Sequence, residues 1–226
     1  MAETIPPNQE PKWADSPLAS PTYRAGGKAT IICSAAIAAP PATCLEVTLD
    51  PATYPSWNKF VPRVTVQTSP PPPLPESTPP AVAQLLKESP DRQLLLLGTR
   101  FREEVHLYPG SASGERIQNT DLEISALEEF ERGGAKGLRV AWKTQGDSWY
   151  LKAERTQEFL ERPDGGCDYV CYETFYGPVT WLVRRFAGPA VLKGFGLWME
   201  GLKKAAEEKA AQQRAKAAGE NVGAAS

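Results

Sequence analysis

The chain predicts an α+β domain: an antiparallel sheet of about six to seven strands, two short helices after the first strand, and a long helix at the C-terminal side. Three observations carry this. Residues 28–66 read as strand, proline-marked turn, two short helical stretches and strand. Between 93 and 185, strand-forming runs are separated by turn signals such as Gly133-Gly134 and Pro163-Asp164-Gly165-Gly166, which is hairpin chemistry in series. After Gly177-Pro178 the apolar period changes from two to three and four.

In chain order, Ala29 to Ala36 is the opening strand, with Ile31 and Ile32 at its centre. Pro40-Pro41 stops it, and Pro41 suits the first turn of a helix that runs to Leu49. Asp50 is an N-cap residue, and Pro51 takes the first position of a second helix ending near Trp57-Asn58. Phe60 to Thr68 is the next strand. Residues 69–80, SPPPPLPESTPP, lack the N–H groups a ladder needs and form an exposed polyproline-II loop, inside a proline-rich insertion spanning 69–90. Ala81 to Glu88 is helical. Leu94 to Tyr108 is a long strand with Thr99, Phe101, Glu103, Val105 and Leu107 on one face and His106 on the other. Strands at 121–131, 137–144, 149–161 and 167–176 complete the sheet. The final helix carries Leu182, Val183, Phe186, Ala190, Val191, Phe195, Trp198 and Leu202 at helical spacing, and Pro189 predicts a kink or break. Beyond Lys203 no apolar stripe is visible, so residues 206–226 read as a solvated, fraying Ala-rich tail.

Composition sets outer limits. Hydrophobic residues make up 41%, and the 22 prolines crowd the first 25 residues and 69–90. Residues 1–27 read as a disordered arm, leaving one domain over 28–205. A net charge of −2 argues against a nucleic-acid partner, which calls for a basic patch. No apolar run reaches the roughly 18–20 residues of a membrane span, and the first residues show no secretory or transit pattern, so the expected location is the cytoplasm. Cys33, Cys44, Cys167 and Cys171 fit no zinc spacing and read as small buried hydrophobes. Neither a metal nor a cofactor is expected. The proline loop has Pro-x-x-Pro spacing that suits a weak partner with an aromatic groove.

The chain resembles the START-like superfamily that includes polyketide cyclase/dehydrases and coenzyme Q-binding proteins. The residues that carry the resemblance are Ala39-Pro40-Pro41, Asp50 with Tyr54-Pro55-Ser56-Trp57-Asn58, Gly98-Thr99, and Glu173-Thr174-Phe175-Tyr176-Gly177-Pro178. It covers residues 28–205. The proline insertion departs from the family pattern, and the missing leader pattern argues against the coenzyme Q branch. The resemblance implies a helix-grip fold, in which a curved sheet holds the C-terminal helix over an internal cavity.

On that expectation, alternation selects the inward residues. One face of the penultimate strand holds Trp149, Leu151, Ala153, Arg155, Gln157 and Phe159; one face of the last holds Cys167, Tyr169, Cys171, Glu173 and Phe175. A turn around Pro163 to Gly165 sets Arg155 opposite Glu173 and Gln157 opposite Cys171. Candidate ligand contacts are therefore Tyr54, Trp57, Phe101, Trp142, Leu151, Arg155, Gln157, Tyr169, Cys171, Glu173, Val191, Phe195 and Trp198. Candidate acid–base groups are Arg155, Glu173, Tyr169 and Glu103. No triad, phosphate loop or paired carboxylates accompany them. That favours binding of a hydrophobic small molecule or lipid without catalysis; the alternative is a polyketide-type cyclase or dehydratase working in the same cavity.

Overall fold

The computed structural model describes residues 5–71, 73–110, 116–146 and 148–223, the side chains of 219–223 apart. Strands β1 (Lys12–Trp13) and β2 (Ala29–Ile37) precede α1 (Pro41–Leu49), a 3-10 turn (Pro51–Thr53) and α2 (Tyr54–Trp57). Next come β3 (Arg63–Thr68), α3 (Pro80–Glu88), β4 (Arg100–Leu107), β5 (Arg116–Arg132), β6 (Ala135–Thr144), β7 (Lys152–Glu161) and β8 (Cys167–Tyr176). The described chain closes with α4 (Thr180–Leu182), a π-helical turn (Val183–Ala187) and α5 (Gly188–Gly223). One antiparallel sheet holds eight strands in the order β1-β2-β8-β7-β6-β5-β4-β3. The strand beyond the expected six to seven is β1.

That strand lies in the segment expected to be disordered. Lys12 and Trp13 pair with Ile32 and Ile31, and the Trp13 ring lies 6.0 Å from Phe175. Further along, Ile5, Ala14 and Leu18 pack on Ile32, Val170 and Tyr172, so the arm covers the outer face of β2 and β8. Composition pointed to disorder because it averages over the segment, whereas a few apolar side chains and strand pairing anchor it. The reason β2 is apolar at nearly every position follows: it is buried on both faces, so its side chains do not alternate with polar ones.

Local chemistry sets the remaining boundaries. Helix α1 begins at Pro41 and ends at Leu49 as its punctuation predicts, and the Asp50 carboxylate accepts from Ala52 N at 3.2 Å. Strand β3 starts at Arg63 rather than Phe60, because the Asn58 carboxamide oxygen captures the N–H groups of Phe60 and Val61 at 3.1 and 2.8 Å. Similarly, β4 starts only at Arg100: Gly98 takes φ +83°, open to glycine, and Leu96 N turns to the Thr99 hydroxyl. Gly177 is required by close approach as well as by φ +97°, since a Cβ there would sit 2.4 Å from the Tyr150 carbonyl oxygen.

The sheet's inner face packs against α5 and α1. Phe195, Trp198, Met199, Leu202, Ala206 and Ala210 form the buried stripe of α5. Its last two members correct the expectation of a tail without a packed face: small alanines let α5 lie close to α1. Lys209 pairs with Glu46 at 2.9 Å, and Glu207 accepts from Ala38 N at 2.9 Å. Residues 224–226 of the expected tail lie outside the described residues, as does Pro72 of the proline loop. Pro189 has no N–H for the Arg185 carbonyl, and the wide π-turn immediately before Gly188-Pro189 is where the helix absorbs this.

Candidate functional site

A cavity of about 340 Å³ lies between the inner face of β4–β8 and the beginning of the C-terminal helix. The sheet contributes Glu103, Val105, Leu122, Trp142, Ala153, Arg155, Glu173 and Phe175, and Leu151 precedes β7. Val183, Ala187 and Val191 close it from the helix side at i, i+4, i+8, so the π-turn forms part of the wall. Phe60 completes one corner.

Three ionisable groups share this mostly apolar space. Arg155 and Glu173 sit opposite each other on β7 and β8, in the register the turn predicted. Arg155 Nε and Nη2 both donate to the same Glu173 oxygen, at 3.0 and 2.8 Å. The guanidinium also stacks 4.2 Å from the Phe195 ring centre. Burial disfavours its charge, yet the nearby Glu173 carboxylate, with contributions from Cys171 and Glu103, holds its pKa above the usual arginine range. Glu103 differs from both: it accepts no hydrogen bond from any described residue, although the residue is only 4% exposed. Burial pushes its carboxyl up to about 7, against the opposing pull of Arg155 and with a further push from Glu173. Near neutral pH it is therefore divided between acid and carboxylate.

Several predicted contacts lie beneath the cavity rather than on it. Tyr54, Trp57 and Trp198 form a cluster with ring centres 5.0–5.5 Å apart, and Trp142 joins it at 5.7 Å from Trp198. Phe101 sits edge-on to Trp142 at 6.2 Å. These rings fill the interior end of the grip with packed aromatic core, and of them only Trp142 reaches the cavity. Gln157 is also held there: its oxygen accepts from Tyr169 Oη at 2.6 Å and from Trp198 Nε1 at 2.9 Å. Tyr169 and Cys171 are buried in the same layer, and Phe195 packs against Arg155 outside the lining. Alternation gives the face of a strand correctly, but not the depth at which that face is already filled.

Of the predicted residues, the structure brings Glu103, Trp142, Leu151, Arg155, Glu173 and Val191 to the cavity. Leu107 on β4, Gln118, Thr120 and Leu122 on β5, and Thr144 on β6 also line it and are not among the residues predicted from sequence. Their alternation along β4, β5 and β6 was the signal available. Phe186, expected to line the cavity or join the core, points outward, as does Trp149: the π-turn rotates one, and β7 begins only at Lys152. All four cysteines are free and buried. Among the described residues no cluster is placed to hold a metal ion. His106 is paired with Glu104 at 2.9 Å, away from the cavity. A second depression of about 530 Å³ runs between the 3-10 turn and α5, but Arg92 and Lys209 on its walls are already paired with Glu46 and Asp50.

An open antiparallel sheet, two short helices after the opening strand and a long C-terminal helix across the sheet are the arrangement that the START-like resemblance implied. No family model matches the chain. It is 26% identical over 171 residues to oxopyrrolidines biosynthesis cluster protein O of Penicillium oxalicum, covering 70% of this chain and 77% of that protein. Among solved structures, hypothetical protein jhp0584 of Helicobacter pylori superposes with a TM-score of 0.50 at 16% identity, over 78% of this chain and 84% of that one. A START superfamily protein of Mycobacterium smegmatis gives a TM-score of 0.47 at 14% identity, over 81% and 98%. Among the described residues no helix is long and apolar enough to cross a membrane.

Proposed function

We propose that the cavity binds a small, mostly apolar molecule whose one polar group lies against Glu103, Arg155 and Glu173. The observation that carries this is an apolar pocket with one unsatisfied carboxyl beside a held Arg–Glu pair. Its volume of about 340 Å³ falls within the range of small-molecule sites. A bound carbonyl or hydroxyl would give Glu103 the hydrogen bond that the protein does not supply. The relative named for a biosynthesis cluster supports a small organic molecule as the ligand class. Native mass spectrometry of protein purified from its own host should show a bound small molecule. Titration with anilinonaphthalene sulfonate should give saturable fluorescence that Val191→Trp, which fills the cavity, strongly reduces. Protein that carries no ligand, and a probe signal indifferent to Val191→Trp, would overturn the reading.

A reaction on the bound molecule is the second reading, favoured by the titration of Glu103 near neutrality. A carboxyl in that state can give a proton to a carbonyl oxygen or take one from the adjacent carbon, as aldol cyclisation and dehydration require. In that case the protein converts a poly-β-carbonyl thioester to a product that has lost water, and Glu103→Gln binds the same thioester without converting it. Equal conversion by both proteins removes this reading and leaves binding intact.

A further inference from the structure

Seven large hydrophobic side chains are exposed among the described residues: Tyr108, Ile117, Trp149, Tyr150, Trp181, Leu182 and Phe186. Each is within two positions of a residue that lines the cavity, namely Leu107, Gln118, Leu151, Val183 or Ala187. Trp149, Tyr150, Trp181, Leu182 and Phe186, beside Leu151, Val183 and Ala187, make a rim along the helix side of the cavity mouth, whereas Ile117 alternates with Gln118 and lies on the sheet's other face. Three of them are large rings that solvent reaches almost freely, with Trp149 78%, Phe186 71% and Trp181 62% exposed. A soluble surface scatters such residues singly; their concentration at one place marks an interaction site.

The rim is built rather than frayed. The Trp149 and Tyr150 rings lie 6.1 Å apart, and Val179 N donates to the Tyr150 carbonyl at 3.2 Å, which ties their loop to the start of α4. In the π-turn that follows, Val183 and Ala187 face the cavity while Arg184, Arg185 and Phe186 stay exposed, as does Leu182 at the end of α4. Trp181 in α4 and Phe186 in the π-turn are both exposed on either side of Val183. Charge adds a second, independent feature. From Gly177 to Met199 the chain carries Arg184, Arg185 and Lys193 and no acidic residue, although its overall net charge is −2.

We propose that this rim docks on the surface of an anionic lipid bilayer, with Trp149, Tyr150, Trp181 and Phe186 among the headgroups and Arg184 and Arg185 on lipid phosphates. Tryptophan and tyrosine favour the membrane interface because one end of each ring is apolar and the other polar. Adjacent arginines add attraction to anionic headgroups. A second copy of the chain fits less well, since a two-fold contact through this face sets Arg184 and Arg185 against their own counterparts. The inference rests on the rim and is independent of what the cavity holds.

Co-sedimentation of the full chain with phosphatidylcholine vesicles, and with vesicles of equimolar phosphatidylcholine and phosphatidylserine, tests it. The protein should partition onto the second kind and much less onto the first. Arg184→Gln with Arg185→Gln should lower partition about 30-fold, and Trp181→Ala with Phe186→Ala about tenfold or more. None of these side chains lines the cavity, so melting temperature and probe binding should stay at wild-type values. No partition onto either vesicle, equal partition onto both, or partition unaffected by the variants would overturn the proposal. A solution dimer that Trp181→Ala with Phe186→Ala dissolves would overturn it too, in favour of self-association.

Discussion

The two faces of the sheet treat a buried glutamate in opposite ways. On the outer face Glu154 is 0% exposed and saturated: it accepts from the hydroxyls of Ser20, Thr22 and Ser125 at 2.5–2.7 Å, and from Thr22 N at 2.9 Å. On the inner face Glu103 is buried nearly as deeply and accepts nothing from the described residues. The inner face is itself divided in the same sense. Around Trp198 it is packed ring on ring, while at Val191 it opens into the cavity. Glu154 finds its donors inside packed structure, whereas at Glu103 an unpartnered carboxyl borders an open volume, and that coincidence marks the site.

Three substitutions probe this contrast. Phe195→Ala removes a ring that is 1% exposed in the filled half and should cost about 3–5 kcal/mol in urea unfolding. Val191→Ala, at the cavity wall, should cost much less, and equal losses would show that the two halves are packed alike. Glu154→Ala deletes the acceptor that ties residues 20–23 to the sheet and should cost about 3–4 kcal/mol, because the loss of charge-assisted hydrogen bonds at about 1.5–3 each is partly offset by no longer burying a charge. Limited proteolysis should then cut between Trp13 and Lys28; an arm that stays protected would place its anchor elsewhere.

Glu103→Gln should have a smaller, pH-dependent effect. The folded-state pKa, about 7, is above the ordinary value of 4.5, so Glu103 favours the fold fully below about pH 4.5 and loses that contribution as pH rises through 7. The glutamine variant lacks this loss. Its stability relative to wild type should therefore rise between pH 5 and pH 8, by about 3 kcal/mol at most. Parallel profiles for the two proteins would mean that Glu103 is paired or solvated in the folded state.

Much of the frame was legible because local chemistry is strong where it was read. Pro41 and Leu49 bound α1, Cys167 and Tyr176 bound β8, and a hairpin turn with known residues sets Arg155 opposite Glu173. Where tertiary contacts decide, the reading stopped. The arm's order depends on Trp13 meeting Phe175 and on Glu154 collecting donors far away in sequence. Ala206 and Ala210 look featureless in a run of alanines until α1 lies against them.

The sequence by itself determined the class of fold, the order of its elements from β2 onward, and which faces of β4, β7 and β8 turn inward. Periodicity, turn residues and proline placement act over a few residues and need no distant partner. Only the tertiary structure decided how deep the cavity runs, which aromatics fill it rather than line it, and that Glu103 is left without a partner while Glu154 is not. Those outcomes depend on how side chains from separate strands and helices share one volume, a packing problem that no local pattern encodes.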